Sequence, residues 1–229
     1  YEIGVRLVGS EMCIRDSDYL CATPCIYIKP HAAATIEYFK TVAKNAHDPV
    51  VLYNNPSRVG CAITEQIYNE LADVENIIGM KECDDNQFDQ LSNKYTQWQW
   101  LTGNDDYLAN PFFMNNGNAR GLISTLGSIA PMCVLDLWQA KKNYALSDHE
   151  AQKYSLENHT SKKKEPNAHD IREKYVYEWN KLCKLAYSIP NPQAVKIVLA
   201  SWDVIDLNFR AQFNPLPDFA YINEFKNLG

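Results

Sequence analysis

Val50-Val51-Leu52-Tyr53-Asn54-Asn55-Pro56-Ser57-Arg58-Val59-Gly60 and, further along, Ile77-Ile78-Gly79-Met80-Lys81-Glu82 decide how this chain folds. Each begins as a short apolar run and stops in polar residues. Short β-branched runs bounded by turn residues mark fully buried strands, as in a parallel sheet. Between them, Thr64 to Asp73 carries Ile67, Leu71 and Ala72 behind a threonine start signal, which predicts a helix. Strand, helix, strand is a βαβ unit. It places Tyr53 and Lys81 at the carboxyl ends of adjacent parallel strands, the end where α/β enzymes do their chemistry.

That placement has a chemical meaning. A lysine at a strand end, in an apolar pocket, can lose its proton and attack a carbonyl. A nearby tyrosine can pass protons to and from the resulting carbinolamine. An arginine just beyond, Arg58, can grip a substrate carboxylate at two points. Taken singly, each is more often ordinary: a surface lysine, a core-edge tyrosine, a solvated arginine.

Together, Leu52 to Gly60 followed by Ile77 to Glu82 resemble the signature of the dihydrodipicolinate synthase family. That family lies within the pyruvate-dependent class I aldolases, with N-acetylneuraminate lyase. The resemblance runs from about Asp18 to about Asp218, broken by one insertion. It implies that Lys81 forms the Schiff base, that Tyr53 is the central proton shuttle, and that Arg58 binds the carboxylate of aspartate semialdehyde. Val59 stands where the family commonly has threonine, a mild departure. Tyr27, in Cys25-Ile26-Tyr27-Ile28-Lys29-Pro30, matches best the family's second relay tyrosine, which reaches a neighbouring subunit's site; a packing role is the alternative. Ile123, in Asn118-Ala119-Arg120-Gly121-Leu122-Ile123-Ser124-Thr125, would pack against the bound keto acid. The resemblance implies a lyase with pyruvate and aspartate semialdehyde as substrates, no metal or organic cofactor, a cytoplasmic location and a homo-oligomer, dimer or tetramer. Another pyruvate-dependent aldolase of the superfamily and a non-catalytic remnant are the alternatives.

Working outward, strands are predicted near 18–23, 49–53, 77–81, 98–102 and 121–124. By the resemblance these are strands four to eight of a TIM (β/α)8 barrel, followed by C-terminal helices. A complete barrel takes eight strand–helix units, typically about 250 residues. No Thr-Thr-Gly, the family's carboxylate-binding loop, occurs. The expected protein is therefore a partial barrel, inactive alone. Residues 1–17 contain Gly-Ser-Glu-Met-Cys-Ile-Arg-Asp-Ser, which resembles translated sequencing-adapter read-through, and they are set aside. Three segments result: 1–17 non-native, 18–140 partial barrel with the site residues, and 141–229 helical with a polar insertion near 143–175.

Smaller readings fill in the rest. His31 to Ala46 predicts a helix with Ile36, Phe39 and Val42–Ala43 on one face. Asn86 to Tyr95 predicts another, with Phe88 and Leu91 inward. Cys83, beside the presumed site, is read as inert packing. Asp105 and Asp106 could form an acid–base pair, but a carboxylate starting the next helix is the plainer reading. Pro111-Phe112-Phe113-Met114 supplies an apolar face. Ser128 to Pro131 starts a helix running through Trp138 and Ala140. Asn158 to Asn167, with three consecutive lysines, reads as a solvated loop. A helix resumes at Tyr175 and continues to Tyr187. Asn191-Pro192 opens another, and Phe213-Asn-Pro-Leu-Pro217 resembles the family's terminal proline turn.

Composition limits the function class. The 229 residues are 46% hydrophobic and 22% charged, enough for a sizeable core. The net charge of -6 favours neither nucleic acid nor an anionic membrane surface. No apolar run approaches the roughly 20 residues of a membrane span. Seven cysteines, at 13, 21, 25, 61, 83, 133 and 183, form no CxxC pair and read as buried free thiols. The histidines show no metal-ligand spacing.

Overall fold

The computed structural model describes residues 18–110, 118–139 and 168–209. The 1–17 segment, the Pro111 to Met114 face, the Asn158 to Asn167 loop and the 213–217 turn lie outside the described residues. The described residues fall into two compact units, one holding 18–104 and 118–123, the other 105–110, 124–139 and 168–209.

The first unit is a parallel sheet of five strands. These are β1 (Leu20–Ala22), β2 (Val50–Asn54), β3 (Ile77–Glu82), β4 (Gln99–Thr102) and β5 (Ala119–Leu122). Every predicted strand is present. Each pairs in parallel with the next in sequence, in the order β1-β2-β3-β4-β5. A doubly wound sheet has a point where the strand order reverses. This one has none; it adds strands in one direction, as the wall of a (β/α)8 barrel does.

Period-2 alternation sorts the side chains. One face carries Val50, Leu52, Met80 and Trp100, all buried. Helix α1 (Ala32–Asn45) buries Thr35, Ile36, Phe39 and Ala43. Val42, predicted inward with them, is only half-buried. A four-residue turn of helix, α2 (Pro56–Val59), follows β2. Then α3 (Glu65–Leu71) buries Ile67, Tyr68 and Leu71, and α4 (Asp85–Lys94) buries Phe88 and Leu91. Tyr68 and Phe88 meet Trp100 with ring centroids 6.1 and 5.9 Å apart, the tilted and edge-on geometries aromatic quadrupoles favour. The Trp100 indole N–H donates to the Tyr95 carbonyl at 2.9 Å, so the buried ring keeps its polar atom satisfied. Burying each such side chain contributes on the order of 1.5–3 kcal/mol.

Local signals set the element ends. His31 caps α1, its Nδ1 accepting from the Ala34 amide at 3.3 Å. Asn55 caps α2, with Pro56 at the first helical position and Gly60 closing it at φ +83°. Thr64 precedes α3, but its side chain makes no capping bond. The helix also ends at Leu71, two residues before the predicted Asp73, because the Val74 amide turns back onto the Leu71 carbonyl at 3.1 Å. Gly79 lets β3 and β4 approach: a Cβ there would lie 2.7 Å from the Gln99 carbonyl oxygen.

The second unit has 3-10 turns at Asp106–Ala109 and Leu126–Ser128, a helix α5 over 131–139, then α6 (Ala168–Ala186) and α7 (Gln193–Ser201). Two expectations are corrected here. Helix α6 begins at Ala168, not Tyr175: Ala168 to Ala186 contains neither glycine nor proline and is rich in Glu, Lys and Arg, which tolerate a helix well. Asp105 does not cap its own turn. Its buried carboxylate accepts the Thr125 and Leu126 amides at 3.0 and 3.1 Å, the Tyr187 hydroxyl at 2.5 Å and the Ser124 hydroxyl. The carboxylate thus caps the 3-10 turn at Leu126. Its carbonyl accepts the Trp179 indole N–H at 2.7 Å, tying α6 to the same residue.

The six described cysteines are free, but of these only Cys183 is buried. Cys21 sits on the open face of β1 and Cys133 on an outer face of α5, so the expectation of buried thiols fails for both. Among the described residues no helix is long and apolar enough to cross a membrane.

Candidate active site

Tyr53 and Lys81 are direct partners in the register of β2 and β3, near the carboxyl ends of both strands. Alternation turns both away from the helix-covered face. The Lys81 Nζ stands 3.9 Å from the centroid of the Tyr53 ring. An ammonium in that position is attracted by the ring's negative face, at about 0.5–2 kcal/mol depending on desolvation. Both side chains are half-buried.

Several short-range features hold the pair. Asn55 donates from Nδ2 to the Tyr53 hydroxyl at 3.0 Å, while its Oδ1 accepts the Ser57 hydroxyl at 2.8 Å and the Arg58 amide at 3.2 Å. One residue therefore orients the phenol and starts the turn that carries Arg58. Gly103, after β4, leaves room for the Cys83 and Lys81 side chains. A Cβ there would collide with Cys83 Sγ and lie 2.7 Å from Lys81 Cε. Burial pushes the Cys83 thiol up to about 11, outweighing the Lys81 charge and a Tyr53 hydrogen bond that pull it down. The thiol is neutral near pH 7, which fits the packing role read for it.

Arg58 is exposed on α2, and its guanidinium makes no hydrogen bond or ion pair among the described residues. Ile123 follows β5; its amide donates to the Thr102 carbonyl at 2.9 Å and its side chain is largely open. Tyr27 lies in the loop between β1 and α1, at φ +73° and 92% exposed. The chain therefore brings Tyr53 and Lys81 into contact, and leaves Arg58, Ile123 and Tyr27 open to solvent.

Sequence reasoning missed the cluster directly behind. Asn54 and Glu82 are the next register pair, on the buried face, and Glu82 has no solvent exposure. Asn54 Nδ2 donates to Glu82 Oε1 at 2.8 Å, the Asp84 amide to the same oxygen at 2.7 Å, and the Tyr68 hydroxyl to Oε2 at 2.6 Å. Asn54 Oδ1 in turn accepts the Ile63 amide at 2.9 Å. Burial pushes the Glu82 carboxyl up to about 7, against the downward pull of those hydrogen bonds. Tyr68 is pushed well above its ordinary value by burial and by the Glu82 charge. The signal was present: strict alternation from Met80 puts an ionisable residue on the core face, which the sequence tolerates only with partners. Gly103 was likewise readable only once its neighbours were known.

Among the described residues no group of three His, Cys, Asp or Glu side chains could hold a metal ion. The groups gathered here are one amine, one phenol and their hydrogen-bonded supports. Such a set can form a carbon–nitrogen bond to a carbonyl and move protons beside it.

A parallel sheet wound one way, with a lysine and a tyrosine paired at its carboxyl edge, defines the class: a protein of the (β/α)8-barrel type with a strand-end amine. The model of the Dihydrodipicolinate synthetase family matches residues 18–178, and the chain belongs to that family. It is 31% identical over 116 residues to the 4-hydroxy-tetrahydrodipicolinate synthase of Archaeoglobus fulgidus, covering 50% of this chain and 39% of that one. To the enzyme of the same name from Methanococcoides burtonii it is 38% identical over 109 residues, 46% of this chain and 36% of that one. The aligned stretch is thus about two-fifths of those relatives' length. Among solved structures, dihydrodipicolinate synthase from Aquifex aeolicus superposes with a TM-score of 0.72 at 23% identity, covering 92% of this chain and 64% of that one. The Thermotoga maritima structure of the same name gives 0.73 at 19%, covering 95% and 68%. The partial (β/α)8 barrel expected from the sequence is the fold observed.

Proposed function

We propose that this chain carries the Schiff-base half of a class I aldolase site, and that the parent protein condenses pyruvate with aspartate semialdehyde to 4-hydroxy-tetrahydrodipicolinate. The observation that carries the reading is the Lys81 Nζ, 3.9 Å above the Tyr53 ring at the strand ends. Family membership and the names of the curated relatives support the substrate choice.

The unprotonated Lys81 amine bonds to the ketone carbon of pyruvate. The carbinolamine loses its oxygen as water and leaves an iminium. The iminium draws electrons from the methyl group, a methyl proton leaves, and an enamine forms. The enamine carbon then bonds to the aldehyde carbon of aspartate semialdehyde, whose oxygen takes up a proton. Closure by the substrate's own amine onto the iminium carbon releases Lys81. Tyr53 carries protons at the carbinolamine and aldehyde steps. Arg58, unpaired among the described residues beyond the same strand end, supplies the cation for the second substrate's carboxylate. Ile123 lines the keto-acid side, and Tyr27 relays protons in a partner's site, as its exposure permits. A homo-oligomer and a cytoplasmic location belong to the same reading. This stretch alone is proposed to be a poor catalyst of the whole condensation.

Exchange of the pyruvate methyl protons for deuterium, followed by NMR, tests the reading without the second substrate. Exchange that depends on Lys81 supports it. Exchange indifferent to Lys81→Ala removes it.

A further inference from the structure

We propose that Glu82 is a positioning residue for the Lys81–Tyr53 pair, acting through Asn54 and Tyr68 from the opposite face of the sheet. This rests on the reading of Lys81 as the reacting amine. Tyr53 and Lys81 are register partners, and Asn54 and Glu82 are the next pair along. Both strands stop at these residues. At its free end a strand pair has few ladder bonds left to fix it, here the Cys83 amide to the Asn54 carbonyl at 3.0 Å. A one-residue slip would turn Tyr53 and Lys81 to opposite faces.

The Glu82 carboxylate stops that slip from three directions. Oε1 accepts from Asn54 on β2 and from the Asp84 amide at the start of α4; Oε2 accepts from Tyr68 on α3. Asn54 is held in turn by the Ile63 amide. The cluster thereby links both strand ends to two helices, in a site with no solvent exposure at Glu82 or Asn54. An apolar core would not require an ionisable group here, and a carboxyl held up to about 7 by burial is a costly way to fill space. Its geometry is suited to holding a register rather than to adding stability.

The test compares the unaltered full chain with Glu82→Ala, Glu82→Gln and Tyr68→Phe. Glutamine keeps an acceptor for Asn54 and the Asp84 amide, and can donate to Tyr68. Pyruvate is titrated with cyanoborohydride, and the reduced adduct on the Lys81 peptide is timed by mass spectrometry. Glu82→Ala, with its circular dichroism retained, should trap about 10- to 100-fold more slowly at saturating pyruvate. The half-saturating pyruvate concentration should change little, and Glu82→Gln should recover most of the rate. A folded Glu82→Ala that traps at the unaltered rate overturns the proposal, as does a Glu82→Gln as slow as the alanine. Should Glu82→Ala not fold, Tyr68→Phe takes its place, and an unchanged saturated rate there overturns it. Should the unaltered chain itself not trap pyruvate, the aldolase reading fails. Acetic anhydride labelling of Lys81 then decides the positioning claim: faster labelling in Glu82→Ala, restored by Glu82→Gln, supports it, and equal labelling in all three overturns it.

Discussion

Gly103 is shaped by Lys81: a methyl group on its α-carbon would lie 2.7 Å from Lys81 Cε and inside Cys83 Sγ. The lysine occupies the space that a side chain on the next strand's turn would fill. Both close atoms belong to side chains, so an added methyl is accommodated by shifting the Cys83 thiol and the Lys81 stem, and with the stem the amine now over the Tyr53 ring. Gly103→Ala is therefore expected to keep the fold and slow pyruvate trapping at Lys81 by about 100-fold, the scale of a 1 Å misplacement. Mass spectrometry of the reduced adduct against time checks it.

Tyr53→Phe removes the hydroxyl that Asn55 holds, but leaves the ring under Lys81. The methyl exchange of pyruvate should fall by on the order of 100- to 10,000-fold. Pyruvate binding should change far less. NMR exchange rates at several pyruvate concentrations separate the two effects.

Glu82 gives the stability a pH dependence with a definite sign. Its carboxyl is raised from 4.5 to about 7 in the folded chain. The folded state keeps a proton that the unfolded state releases, so this contribution is full below 4.5 and is lost as pH rises through 7. The difference is about 3 kcal/mol. Denaturant midpoints should fall between pH 4.5 and 7, and Glu82→Gln should abolish that part of the fall.

Asp105 is the corresponding structural centre of the second unit. Asp105→Ala leaves the Thr125 and Leu126 amides, the Ser124 hydroxyl and the Tyr187 hydroxyl without their acceptor. A loss of about 2–4 kcal/mol is expected in denaturant unfolding.

The sequence made some of this plain and hid the rest for physical reasons. Strands β2 and β3 were readable because strands buried on both faces need continuous apolar runs, and Val50 to Leu52 and Ile77 to Met80 supply them. Both runs stop in polar residues, so Tyr53 and Lys81 could be placed at neighbouring strand ends; that they are direct register partners came from the structure. The partners of Glu82 were not readable, since Tyr68 comes from a helix whose rotation about its axis is set by tertiary packing. Asp105 was misread for the same reason: a capping carboxylate was recognised, but the amides it caps lie twenty residues away in sequence. Helix α6 was started too late because its first turns are charged, and charge alone does not separate a solvated helix from a loop.

The central claim is that the Lys81 amine bonds covalently to pyruvate. Its most direct measurement is reduction of the chain with borohydride in the presence of pyruvate, followed by peptide mass spectrometry. A Schiff base at Lys81 gives the mass of a reduced pyruvate adduct on the peptide containing Lys81, lost in Lys81→Arg. An adduct confined to other lysines, or one that forms equally in Lys81→Arg, would contradict it.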